Sequence, residues 1–303
     1  MPGGKRLFFV EAKKTNIDIK NNISVAYQIR RYGWSVKLSV SIITDFEEFA
    51  VYDYTKNRFM PVTFINTTES DFFKKNKNLY RFTQVDRFLK ILHSGKIDFI
   101  RPEKWDDPYE KFFLLAEYIN NIDNTIFHWP LKNRVFSICL TNIYSEAFWK
   151  GDASYYDGIR IKFDRQNFIR ELKNCKYQFY IGSVEYKLTE DIKELKKNNR
   201  FINQQLFENN IAENIKLLFQ KRIPFAYEQE VRIIMVLENE SDEIVQSVNL
   251  NLTNIFQEFL LHPKMKKEKA NKVISELVEK GFECKQSGLN TYIPVKIPFS
   301  KMK

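Results

Sequence analysis

The chain has 303 residues, 44% of them hydrophobic, enough to fill one large or two ordinary cores, which excludes an intrinsically disordered protein. The 48 Lys and Arg against 38 Asp and Glu leave a formal charge of +10, which favours anionic partners such as DNA, RNA or dinucleotides, although AT-biased coding also inflates Lys. Cys139, Cys175 and Cys284 lie far apart, as do His93, His128 and His262, so a zinc cluster is not expected. No run of 18 apolar residues and no basic-then-apolar leader stands in the sequence, so a cytosolic protein with reduced thiols and no membrane partner is expected. No pattern specifies an oligomeric state.

In chain order, the apolar patterning predicts a strand at 7–12, a helix at 24–33 and strands at 38–43 and 49–54, a short α/β unit. The polar run NTTESDFFKKNKN, 66–78, predicts a linker over 63–78 between a unit at 1–62 and a main domain at 79–303. NLYRFT predicts the first strand of that domain. Asp86 is the expected N-cap of a helix at 87–93, which Ser94-Gly95 ends. Further strands are expected at 135–140, 158–163, 179–187 and 230–237. A long polar helix is expected at 191–221, and an amphipathic helix at 267–280, stopped by Gly281. Strands interrupted by helices without a βαβ rhythm predict an α+β fold.

Glu11 and Lys13, two apart in FFVEAKK, share one strand face, and Gln28 and Tyr32, four apart in AYQIRRYGWS, share one helix face. These segments, followed by SIITDFEEFAVYD, resemble across residues 4–54 the PD-(D/E)xK nuclease fold of restriction-modification enzymes. The resemblance implies that Glu11 and an upstream Asp hold Mg²⁺ while Lys13 orients the attacking water. MPGGKRLFF offers no such acid before Glu11. Three explanations stand: a truncated gene model, a remnant kept for packing or DNA docking, or an acid from Asp18 or Asp45. The expectation is no Mg²⁺-dependent cleavage by this segment.

In FAYEQEVRII, strand periodicity would put Glu228, Glu230 and Arg232 on one face, where two buried glutamates demand cations or hydroxyls; Arg81 is the expected partner. LYRFT, LKILHSGKIDFIRPEKWDDPYE, VFSICLT, FWKGDASYYDGIRIKFD and KRIPFAYEQEVRII together resemble, over about 78–292, the family catalogued as domain of unknown function 2971. Two departures are Asp106 in WDDPYE, where Asn is usual, and the longer spacing after Trp149. NLYRFTQVDRFLKILHSGKIDF is further similar to the opening of ADP-ribosyltransferases. That similarity implies a mixed-sheet transferase-like domain with NAD as cofactor. Arg81 and Tyr80 on the first strand would hold it, Trp149 or Tyr156 would stack on nicotinamide, and Glu230 with Glu228 would be catalytic. Taken singly, Trp105, Trp149 and Tyr156 read as packing, and Asp107 and Glu110 as caps of the next helix. His93 reads as a partner of helix-end carbonyls, and Cys139 as a buried small hydrophobe. The implied setting is prokaryotic defence against phage. Two other classes stand beside it: a non-catalytic nucleic-acid-binding or regulatory protein, and a metal-dependent nuclease with its true start upstream.

Overall fold

A computed structural model describes residues 8–15, 40–45, 49–53, 62–120, 122–151, 156–195, 197–207, 211–289 and 297–298. It divides into two compact units, Met1–Phe59 and Met60–Lys303. In the first, β1 (Phe8–Ala12) runs parallel to β2 (Val40–Thr44), and β2 runs antiparallel to β3 (Phe49–Asp53). The expected strands are present within two residues of their predicted bounds. The helix expected at 24–33, with Gln28 and Tyr32, and also Asp18, lie outside the described residues.

The second unit begins earlier than the linker reading implied. β4 (Val62–Phe64) and the helix Glu69–Lys75 occupy the polar stretch. The Thr68 hydroxyl accepts from Asp71 N as an N-cap, and Phe72 is fully buried, so the Lys and Asp residues are the wet face of an amphipathic helix. The other strands are β5 (Leu79–Gln84), β6 (Lys96–Ile100), β7 (Glu117–Ile119), β8 (Ile126–His128), β9 (Val135–Thr141), β10 (Gly158–Phe163), β11 (Gln178–Ser183), β12 (Glu185–Lys187), β13 (Gln220–Arg222), β14 (Glu230–Val236), β15 (Val245–Asn249), β16 (Phe256–Leu261) and β17 (Glu283–Gln286). A ten-stranded sheet follows the order β17-β16-β10-β5-β9-β14-β11-β4, with β6 joining β9 and β15. β16–β17 and β11–β4 are parallel and the other pairs along that path antiparallel, so the sheet is mixed.

Directly paired residues project to the same side of a sheet, so the register sorts side chains into two faces. One face carries Leu140, Ile161, Ile181 and Ile233, packed in the larger core with Phe88, Phe168 and Leu277 of the helices Val85–Ser94, Arg165–Lys173 and Lys267–Glu279. The other carries Val135, Tyr180, Ile234 and Val236, packed with Trp129, Ile215 and Leu218. Tyr80, Phe82 and Leu260, with Trp149, form a third cluster on that second face.

Several local expectations change. The helix after β5 starts at Val85, which leaves Asp86 in the first turn rather than at the cap, and Gly95 ends it at φ 68. The stretch expected as one helix is broken into Thr189–Leu195, Asn199–Phe207 and Ile211–Ile215, followed by a 3-10 turn and β13. Asn198 starts the second piece by accepting from Phe201 N. His93 pairs with Glu276 at 2.8 Å instead of with the carbonyls of its own helix end.

Candidate active-site corner

The segment expected as one continuous strand through Glu228 is bent. Pro224 has no N–H for a ladder, residues Ile223–Glu228 form a 3-10 turn, and Gln229 takes a left-handed φ of 43°, so β14 starts at Glu230. Glu228 therefore does not share a strand face with Glu230 and Arg232, which corrects the periodicity argument. The two glutamates still converge. Lys221 Nζ of β13 lies 2.6 Å from Glu228 Oε2, 3.3 Å from Glu230 Oε2 and 3.2 Å from Glu110 Oε1.

Arg232, 1% exposed, closes the group from inside. Its Nε donates to Glu230 Oε1 at 2.6 Å and its Nη2 to Glu230 Oε2 at 2.9 Å, while Nη1 donates to the Leu218 carbonyl at 2.6 Å and Nη2 also reaches Glu110. The guanidinium lies 4.0 Å from the Trp105 ring centroid, and Trp105 Nε1 donates to Ser137 Oγ. Glu230 N donates to Tyr186 OH at 2.9 Å. Asp107 holds Arg222 through two hydrogen bonds of 2.9 and 3.0 Å and accepts from Tyr109 N. Asp107 and Glu110 are thus partners of this corner and not caps of the helix Phe112–Leu115, whose start has no side-chain cap.

Three carboxylates and two cations share a mostly buried space, and burial and charge divide them. For Glu230 burial raises the pKa, but Arg232 and then Lys221 oppose it and bring the group down to about 2. For Glu228 and Glu110 burial prevails over Lys221 and Arg232 and leaves both above the ordinary carboxylate range. Burial depresses Lys221, yet Glu230, Glu110 and Glu228 together raise it. The result is an ionised Glu230 whose two oxygens are both engaged, beside a more accessible Glu228 with one oxygen on Lys221. Tyr109 and Phe225 border the corner through the Arg222 and Lys221 cations, and Tyr227 is 55% exposed nearby in sequence.

Of the other predicted site residues, Tyr80 is brought near and the rest are not. Tyr80 pairs with Thr141 and Thr141 with Glu230, so the three side chains form a row on one face. Arg81 follows Tyr80 and pairs with Ile161, so it projects to the opposite face and cannot be the partner of the glutamates. Arg160 is the cation beside Tyr80, 4.8 Å from its ring and 2.8 Å from Glu258. Trp149 is 2% exposed, edge-on to Phe82 and 5.3 Å from His262, and so packs rather than stacks on a ligand. Tyr156 is exposed at φ 60, against His262, at the start of β10 and away from the Lys162 end that pairs with Tyr80. Lys221 and Tyr186 are not legible as site residues; Pro224 breaking a strand, with KR just before it, is the available signal.

In the first unit, Lys13 Nζ lies 2.5 Å from Glu11 Oε1, and Glu11 Oε2 is buried without a hydrogen-bond partner. Glu11 pairs with Ile43, so Asp45 continues on the same face as Glu11 and Lys13; it is buried. Among the described residues no group of three His, Cys, Asp or Glu is placed to hold a metal ion, and no helix is long and apolar enough to cross a membrane.

A model of a protein family of unknown function, DUF2971, matches residues 148–233, which includes the Glu230–Arg232 strand start. The chain is 40% identical over 214 residues to the type II restriction enzyme and methyltransferase RM.Eco57I of Escherichia coli, across 60% of this chain and 20% of that protein. It thus spans about a fifth of the length of that relative. Two structures of Thermus sp. 2.9 DarT, in complex with carba-NAD+ and with ADP-ribosylated ssDNA, align at 11% and 10% identity. They cover 69% and 68% of this chain and 95% and 90% of theirs, with TM-scores of 0.31 and 0.32.

Proposed function

We propose that the unit from Met60 onward is a group-transfer enzyme of the ADP-ribosyltransferase kind, taking NAD, with its chemistry at Glu228 and Glu230. The observation that carries this reading is Glu230, buried yet kept ionised by Arg232 in the row shared with Thr141 and Tyr80. Loss of nicotinamide from NAD leaves positive charge on the ribose, and a fixed carboxylate stabilises such charge without spending energy on reorganisation. A carboxyl titrating near 2 serves as an anion or hydrogen-bond acceptor and not as a proton donor at neutral pH. Glu228, raised by burial and more open, suits the proton-handling role toward an acceptor. The residues fit the group in type: carboxylates for ribose hydroxyls, with Tyr109, Phe225 and Tyr227 as aromatic neighbours in place of Trp149. The setting read into it is prokaryotic defence, in line with the restriction-enzyme relative. The first unit is read as a nuclease-derived docking piece without Mg²⁺-dependent turnover; no DNA nicking with Mg²⁺ is expected, and nicking that is lost in Glu11→Ala would overturn this.

The test is calorimetry with millimolar NAD together with NAD hydrolysis. Saturable binding and slow hydrolysis that both Glu228→Gln and Glu230→Gln diminish are expected. No binding by a folded chain overturns the reading. A second reading, non-catalytic nucleic-acid binding, is favoured by the +10 charge and by a cation-lined cleft in the same unit. It expects steeply salt-dependent association and no turnover.

A further inference from the structure

A cleft of about 270 Å³ opens where β5 begins and β10 ends, lined almost wholly by polar side chains: Lys77, Asn78, Lys162, Arg165, Gln166 and Gln257. Its one acid, Asp164, is committed internally, since Oδ1 accepts from Asn167 N at 2.9 Å and Oδ2 from Gln257 Nε2 at 3.2 Å. Glu258, across the strand from Lys162, is taken by Arg160 at 2.8 Å, with Lys285 at 3.9 Å. The side-chain ammonium groups of Lys77 and Lys162 have no ion-pair or hydrogen-bond partner among the described residues. Arg165 is pinned by Nη1 donating to the Phe73 and Asn76 carbonyls, both at 2.7 Å, with its guanidinium 5.3 Å from the Phe73 ring.

We infer that this cleft binds phosphate groups. Three cations against one carboxylate leave the lining net positive, and a fixed guanidinium with two ammonium groups is the donor set that anionic oxygens take. The lining offers amides and cations but no open aromatic face, Phe163 being buried, so it would hold a phosphate and leave a base unread. Position ties it to the acidic corner. Lys162 pairs with Tyr80, Tyr80 with Thr141 and Thr141 with Glu230, so about three strand spacings, roughly 14 Å, separate Lys162 from Glu230 on one face. The phosphate would come from a polynucleotide backbone or from the pyrophosphate of a dinucleotide.

The full chain is titrated with inorganic pyrophosphate by calorimetry, alone and against a single-stranded oligonucleotide of mixed sequence or NAD. Pyrophosphate should bind, Lys162→Ala and Lys77→Ala should each weaken it about tenfold, and the salt slope of oligonucleotide binding should fall by about one per lysine removed. Lys272→Ala, on the helix Lys267–Glu279, should change neither. Displacement by the oligonucleotide identifies a polynucleotide backbone, displacement by NAD a dinucleotide, and displacement by neither overturns the proposal. So does pyrophosphate binding that is absent, or equally weakened by Lys272→Ala. Pyrophosphate binding that depends on both lysines in a chain that neither binds nor hydrolyses NAD would remove the transferase reading and leave the cleft standing.

Discussion

The two faces of the main sheet are built from alternate residues of the same strands, yet they are stabilised in opposite ways. On one, Ile233 and Ile161 meet Phe88, Phe168 and Leu277, where the loss of any one side chain subtracts area and leaves a hole. On the other, Glu230 and Arg232 are as buried as their apolar neighbours, and each is tolerable only because the others are present. The apolar face should degrade in proportion to what is removed, and the charged face according to whether its charges still match.

Removing charge is the sharpest way to break that contrast. Arg232→Met leaves Glu110 and Glu230 without their guanidinium and should cost about 3–5 kcal/mol in urea unfolding. The triple change Arg232→Met, Glu230→Leu, Glu110→Leu should recover most of it. Phe168→Ala should also cost about 3–5 kcal/mol, but no second substitution at a facing position should restore it. If the triple variant is no more stable than Arg232→Met, the faces do not differ in kind.

A smaller steric effect is expected at Gly182, on the charged face opposite Arg232. A methyl group there would meet the Phe219 ring at 3.1 Å and Ile65 Cβ at 3.2 Å, so Gly182→Ala should cost about 1–3 kcal/mol, read as a lowered urea midpoint with unchanged slope.

Acid gives the gentlest test. Glu230 falls from an ordinary 4.5 to about 2 on folding, so its contribution is complete above 4.5 and is lost as pH drops toward 2. Glu228 and Glu110 are raised and so work against stability once ionised in both states, relief coming as they protonate. Between pH 4.5 and 2, stability should therefore fall less steeply in Glu230→Gln than in the parent chain. At neutral pH, Glu228→Gln should be neutral or slightly stabilising. Equal slopes for Glu230→Gln and the parent would show that the guanidinium does not hold that carboxylate.

Much of the sheet was legible in the sequence. Apolar runs such as VFSICLT and GIRIKF are strands because both of their sides are covered, and Gly95 and Gly281 end helices with positive φ as their positions imply. The polar run at 66–78 misled because a short helix with one buried Phe72 looks like a linker when only its wet face is counted. In the candidate site, the shared face of Glu230 and Arg232 follows from a strand period. Arg81 failed because its face depended on the register with β10 and β9, which local pattern does not carry. Trp149 failed because an aromatic beside Phe82 and His262 reads the same in sequence whether it is lid or core. Lys221 was hidden inside what looked like a helix end, nine residues before Glu230 in sequence and one hydrogen bond away in space.

Gln229 has a consequence for how the corner can move. Its left-handed backbone, held by Gln229 Nε2 on the Ala226 carbonyl, sits between the two carboxylates like a swivel. Glu230 is fixed to the sheet by β14, whereas Glu228 belongs to the turn that also carries Phe225 and follows Lys221. The swivel is latched to β9, since the Glu228 carbonyl accepts from Thr141 Oγ1 at 2.7 Å and the Gln229 carbonyl from Asn142 N at 3.3 Å, so the gap between the two acids is a gauge set by the turn and the sheet together.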